Sequence, residues 1–355
     1  MREVPIDEIE HGLILAKEIV DSNDKLLLSK GSIIKKEHIR KLIENNISTI
    51  YVVDSVEDEV MDSFSIEKIE EESLELIQKI IENRIKEDGE DDMKKISATA
   101  EVIIRDILKN PEIGGCMVNI KRRRGDMYSH MLNTSVLSVI MAIKLGFSEE
   151  ELRDIATGAL LHDLGICNVS VKFENIDMDR MPAEEKLDYR RHVFKGYEML
   201  KGYPWMTENS KAIVLSHHER QDGSGYPFHK RGNNIPRTVR LVSICDTFDE
   251  LVNGIGYKKK KVHEVVEHFR TTAAYSFDYE LLSKITANIA WFPTGSVVIT
   301  NEGETAVIVK QNKGLPDRPI IKIIKDIEGN PVENGEVKNL LECLTIFIVD
   351  TIEED

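Results

Sequence analysis

What most constrains this chain is a run of apolar residues at helical spacing from about Met93 to Ala290, with histidines and aspartates set into it. The spacing predicts helices over Lys94–Leu108, Tyr128–Leu145, Glu149–Leu161, Tyr189–Leu200, Ser210–His217, Arg237–Val252, Val262–Thr272 and Tyr279–Asn288. Breaks fall at Asn110-Pro111, Gly146, Gly165, Gly202 to Pro204 and Gly223 to Pro227. From Gly295 the pattern changes to short β-rich runs separated by Gly, Pro and Asn: Gly295–Thr300, Thr305–Val309, Ile320–Ile324 and Thr345–Val349. Upstream, residues 1–56 read as a small mixed α/β module. Its strand-like runs are Gly12–Val20, Lys25–Leu28 and Ile47–Val53, with a helix over Lys36–Asn46. Residues 57–99 read as an acidic helical linker. Ser65–Lys86 forms its amphipathic part, and its apolar stripe suits core packing or a homodimer contact. The expected architecture is mainly α: a helical core over 100–290, a β appendage over 291–355 and the N-terminal module.

Charge is distributed unevenly. The net charge is −16 over 355 residues. Between Asp54 and Asp92, 16 acidic and 4 basic residues account for −12 of it, so the helical core is close to neutral. An acidic chain of this kind does not fit a general DNA binder, which needs a basic face to displace counterions. No apolar run approaches the ~20 residues that span a bilayer. The N-terminus, MREVPIDEIEHG, has no signal-type apolar stretch. Four separated cysteines make no C-x-x-C pair, which argues against a disulfide framework or a zinc knuckle. A cytoplasmic protein without membrane contact is the simplest expectation.

Five of the ten histidines, His130, His162, His192, His217 and His218, fall on successive helices of one segment. Any one of them reads most simply as a satisfied core histidine; five with interspersed acids do not. His162 and Asp163 end the apolar helix GALLHDLG, where a carboxylate is costly unless something pairs with it. Asp246 lies in another apolar helix, VSICDTFDEL. A divalent cation is the economical partner. Imidazole and carboxylate without thiolate suit iron, manganese or zinc. Such a set can hold two ions about 3.5–4 Å apart, which lower the pKa of a bridging water and screen a phosphodiester during in-line attack.

The order His130, His162-Asp163, His192, His217-His218-Glu219, Asp222-Gly223-Ser224-Gly225-Tyr226-Pro227 and Asp246 resembles the HD-GYP domain of bacterial cyclic-dinucleotide phosphodiesterases. The resemblance covers roughly residues 100 to 310. It implies an HD-superfamily helical bundle with a di- or trinuclear centre, often of iron or manganese. It also implies hydrolysis of cyclic di-GMP to linear pGpG or GMP by a metal-bridging hydroxide. Carried over residue by residue, the ligands are His130, His162, Asp163, His192, His217, His218 and Asp246. Asp163 is the bridge, and the catalytic pair is His162 with Asp163. Asp126, one turn before His130, stands where three-metal members carry a glutamate; a helix N-cap fits it equally well. Gly225 and Tyr226 of the GYP loop and Lys258 are candidate substrate contacts. Glu219 and Asp249 are candidates for orienting ligands from behind.

Two positions depart from the pattern. Ile166 replaces the lysine of HDxGK, and Ile255 stands where an R-P-Y-K-like stretch carries arginine. Each missing charge-assisted phosphate contact is worth about 1.5–3 kcal/mol. Basic runs at Lys121–Arg124 and Lys258–Lys261 read as solvated loops, or as compensating charge. Besides the enzyme reading, the sequence therefore supports a signalling module that binds metal and a cyclic dinucleotide, or a partner protein, without turnover.

Overall fold

The computed structural model describes residues 126–352 apart from 174–175, 272–274 and 333–334, the helix over 90–108, and short stretches upstream of it. In the N-terminal part these include β1 (Arg2–Pro5), β2 (Ile19–Val20), β3 (Leu26–Leu28) and β4 (Thr49–Val52), paired antiparallel as β1 with β4 and β2 with β3. The strands expected near 19–28 and 47–53 are thus present in part, and β1 was not foreseen. The helix expected over Ser65–Lys86 and the basic run Lys121–Arg124 lie outside the described residues.

The helical core comprises α1 (Glu90–Leu108), α2 (Met127–Lys144), α3 (Glu149–Leu161), α4 (Ala183–Arg190), α5 (His192–Leu200), α6 (Glu208–Ser216), α7 (Arg237–Asn253), α8 (Val262–Thr271) and α9 (Tyr279–Asn288). A short 3₁₀ segment, Leu164–Asn168, carries the chain on from the end of α3 toward α4. α1 begins inside the span read as linker. Its first residues, Glu90-Asp91-Asp92, look like a break in sequence but lie within the helix.

Helix starts follow their capping residues. Ser148 and Glu151 form a capping box at α3, and Thr207 and Asp278 cap α6 and α9. One expected helix, Tyr189–Leu200, is two. Arg191, at φ −75° and ψ −9°, ends α4, and His192 opens α5. α2 and α7 run through the middle and are buried on nearly every face. Around them Met131, Leu132, Ile155, Leu160, Ile213, Val242 and Phe248 form one continuous core.

The C-terminal strands form one antiparallel sheet, β5 (Val297–Thr300), β6 (Thr305–Lys310), β7 (Ile320–Lys325), β8 (Val337–Asn339) and β9 (Ile348–Ile352), in the order β8-β7-β6-β5-β9. β8 escaped notice in sequence because three residues carry no period. The last strand lies three residues later than the apolar run suggested. Val298, Ala306, Ile308, Ile321 and Leu340 make a separate small core. Lys261, just before α8, pairs with Asp350 and donates to the Thr351 carbonyl at 2.7 Å, tying sheet to bundle. Among the described residues no helix is long and apolar enough to cross a membrane.

Candidate metal centre

The site forms where two helices end. His162 is the C-cap of α3 and His217 the C-cap of α6, so both His-Asp and His-His pairs sit at helix carboxyl termini. The partial negative charge there favours a cation. Each of three rings is fixed through Nδ1 by a nearby backbone carbonyl: His162 donates to Ala159 at 2.7 Å, His192 to Tyr189 at 2.7 Å and His217 to Val214 at 3.0 Å. That leaves each Nε2 facing inward as a ligand atom. His130, from the first turn of α2, donates Nδ1 to Asp249 Oδ2 at 2.8 Å, and Asn253 braces the other Asp249 oxygen at 2.9 Å. Asp249 thus orients His130.

The inward atoms converge on two carboxylates. Asp246 Oδ1 lies 3.1 Å from His130 Nε2 and 3.3 Å from His162 Nε2. Asp163 Oδ2 lies 3.6 and 3.5 Å from the same two nitrogens. Its Oδ1 lies 3.3 Å from His192 Nε2 and 3.6 Å from His217 Nε2. Asp163 therefore stands between two histidine pairs with one oxygen toward each. His218 Nδ1 is 3.9 Å from Asp246 Oδ2. All seven side chains are buried. Asp163 Oδ1, both Asp246 oxygens and His218 Nε2 have no hydrogen-bond partner. Buried polar atoms of this kind are costly unless something binds them. The donor set, five imidazoles and two carboxylates, fits divalent transition metals and supplies no thiolate.

Close packing holds the two halves together. A Cβ on Gly165 would lie 1.9 Å from the His192 carbonyl oxygen and 2.5 Å from the Gly196 nitrogen. Only glycine lets the 3₁₀ segment approach α5 closely enough to set His192 against Asp163.

Three of the candidate residues make other contacts. Asp126 is an N-cap: its Oδ1 accepts from the Ser129 backbone at 2.9 Å and its Oδ2 from the Ser129 hydroxyl at 2.8 Å. Both oxygens are engaged, and Asp126 is not among the residues whose donor atoms converge. Gly225 is buried, and a Cβ there would lie 2.3 Å from the His218 carbonyl oxygen. Its smallness serves the loop's own packing. Glu219 likewise orients no histidine; it accepts from the backbone of Phe228 at 2.7 Å and of Lys230 at 2.9 Å, and so shapes the GYP loop.

That loop stacks Tyr226 on His218, with ring centroids 4.7 Å apart. Exposed Arg190 lies over Tyr226 at 5.2 Å. Lys258 is exposed and makes no hydrogen bond or ion pair with the cluster among the described residues. Ile166 and Ile255 are buried in the hydrophobic core. Glu250, also buried, joins the cluster and went unnoticed in sequence. Its signal was there: it lies four residues after Asp246 on the same helix.

Burial is the largest influence on every group here and works against charge. The carboxylates overcome it at two rings. Asp246 and Asp249 hold His130 well above the usual imidazole value, and Asp163 and Asp246 hold His162 up at about 10. Burial prevails at His192, which falls to about 4, and at His218, also lowered, where His217 adds to it. Asp163 stays far below the carboxylate range because the His162, His217 and His192 rings outweigh its burial.

In the metal-free protein the carboxylates thus favour the protonated rings of His130 and His162. A cation must displace such protons, so affinity rises with pH. His192 and His218 are already neutral and release none. Titration calorimetry with manganese in buffers of different protonation enthalpy will show proton release; heats independent of buffer would contradict it.

A buried histidine-aspartate cluster on the converging helix ends offers the donor set of a metal centre. Residues 117–281 match the HD domain family, and residues 297–355 match the KOW domain associated with HD domains. A cyclic di-GMP phosphodiesterase of Pseudomonas aeruginosa is 26% identical over 234 residues, which are 65% of this chain and 56% of that protein. The cyclic di-GMP phosphodiesterase response regulator RpfG of Xanthomonas campestris is 35% identical over 141 residues, 39% of this chain and 37% of that one. The chain therefore spans about half the length, or less, of these relatives. The Bdellovibrio bacteriovorus protein Bd1817, described as an HDG"Y"P protein, superposes with a TM-score of 0.53 at 18% identity, over 80% of this chain and 98% of that chain. The likeness to Bd1817 concerns the fold alone. Residues 117–281 thus carry an HD domain, the part of the chain that holds the histidine-aspartate cluster.

Proposed function

We propose that the chain is a metal-dependent phosphodiesterase that opens a cyclic dinucleotide, cyclic di-GMP first among them, to linear pGpG and onward to GMP. The observation that carries this reading is Asp163, buried between two histidine pairs with one carboxylate oxygen toward each. His130, His162 and Asp246 would hold one ion and His192 and His217 the other, iron or manganese by donor type, with Asp163 shared. Bound there, such a pair supplies Lewis acidity, making hydroxide from water near neutral pH and screening charge on phosphorus. The protein's own groups do the rest. Asp249 holds His130 in one orientation, and Tyr226 offers a ring edge beside His218 on which a base or ribose can rest. Arg190 and Lys258 are the exposed cations assigned to the substrate phosphates.

The catalytic unit is assigned to residues 100–290. The N-terminal module and the acidic segment 57–99 are assigned to input or homodimer contact, and the protein to the cytoplasm. A second reading, a receptor that binds metal and nucleotide, or a partner protein, without turnover, is favoured by the burial of Ile166 and Ile255. No cation can reach a phosphate from either position.

The experiment is product analysis by chromatography. Anaerobically purified protein is loaded with manganese or iron and incubated with cyclic di-GMP, with a hybrid cyclic dinucleotide in competition. Linear product that forms with the wild type and not with Asp163→Ala supports the enzyme. Metal and nucleotide binding without product supports the receptor.

A further inference from the structure

We propose that Glu250 is a ligand for a third divalent cation, held together with Asp246 and His218. This rests on the phosphodiesterase metal centre and adds a position to it. A Glu250 carboxylate oxygen, an Asp246 oxygen and a His218 ring nitrogen all lie within 4.8 Å of one another. Asp246 turns its Oδ1 toward His130 and His162, and its Oδ2 lies on the His218 side, 3.9 Å from Nδ1. The third position therefore uses the oxygen that the first does not.

Three observations point to a ligand rather than to an incidental acid. Glu250 is only 7% exposed, and its carboxylate converges with Asp246 and His218. Both Asp246 oxygens and His218 Nε2 are buried without partners. Finally, the nearby basic group is otherwise engaged. Arg220 donates to the Ser243 hydroxyl at 2.6 Å, the Thr247 hydroxyl at 2.9 Å and the carbonyls of His217 and Glu219 at 3.1 and 3.2 Å.

Two carboxylates one turn apart in a buried helix repel each other. A divalent cation between them removes that cost. One imidazole and two carboxylates suit manganese, iron or zinc. Asp126, the acid one turn before His130, has both oxygens turned to Ser129. The third ion in this chain accordingly draws its extra carboxylate from α7 instead of the start of α2.

The test is a metal count. The full chain is reconstituted anaerobically with manganese, desalted, and measured by mass spectrometry of the metal without nucleotide. Glu250→Ala and Glu250→Gln each lose about one manganese per chain relative to the wild type, and Asp126→Asn loses none. Unchanged manganese in the Glu250 variants overturns the proposal, as does loss of the whole complement or a loss confined to Asp126→Asn. Metal-free Glu250→Gln should melt no lower than the metal-free wild type, since a repelling carboxylate has gone. A lower melting temperature would make Glu250 a structural group and refute the assignment. A chain that holds the full complement yet hydrolyses nothing overturns only the phosphodiesterase reading.

Discussion

Replacing Asp163 with alanine lowers manganese affinity by more than about 100-fold and eliminates turnover with it. Loss of an outer-shell partner in a metal site already costs about 10–100-fold, and Asp163 is more than an outer partner. Its two oxygens face His130 and His162 on one side and His192 and His217 on the other, at 3.3 to 3.6 Å. Removing the carboxylate therefore weakens both positions at once and leaves His192 and His217 without the carboxylate their inward nitrogens face. Asp163→Asn is the sharper comparison: it preserves shape and removes charge, so it should bind metal nearly as poorly as alanine. Manganese titration of both variants checks this. Wild-type affinity in Asp163→Asn would mean that the two histidine pairs do not share an ion-binding carboxylate.

Gly165→Ala is the second large effect, and it arises without touching a ligand. The added methyl meets backbone, not a side chain that can swing away: the His192 carbonyl oxygen at 1.9 Å and the Gly196 nitrogen at 2.5 Å. α5 must move off the 3₁₀ segment, at a cost of about 3 kcal/mol. For a domain of this size that lowers the melting temperature by about 6–12 °C. Because His192 opens α5, the same displacement carries its Nε2 away from Asp163, and metal affinity falls by about 10–100-fold. Gly202→Ala is the control, since a Cβ there meets nothing within 4 Å. Equal melting temperatures for the two variants would show that the close approach is not needed.

Much of the site was legible in the chain because its signals are local. A histidine or aspartate in an apolar helix stands out, since burial of an unpaired polar group needs a reason, and His130, His162, Asp163, His192, His217, His218 and Asp246 were all found that way. Helix spans were legible for the same reason, as with Glu149–Leu161, where a capping box marks the start and the apolar stripe the body. The split before His192 was not legible, because it depends on one ψ angle at Arg191. β8 was not legible either, because its three residues are positioned by β7 rather than by their own pattern.

The composition and order of the chain by themselves determined a helical bundle, a β appendage, and a set of imidazole and carboxylate donors without thiolate. Those properties stem from side-chain chemistry and from spacing along one helix. Only the tertiary structure decided which acids are free to bind. Asp126 and Glu250 are both acids one turn from a ligand, and nothing in their spacing separates them. Ser129 occupies both oxygens of Asp126 at the start of α2, whereas Glu250 is buried beside Asp246 and His218. A carboxylate's availability is set by what surrounds it in space, and in this protein those surroundings come from helices far apart in the chain.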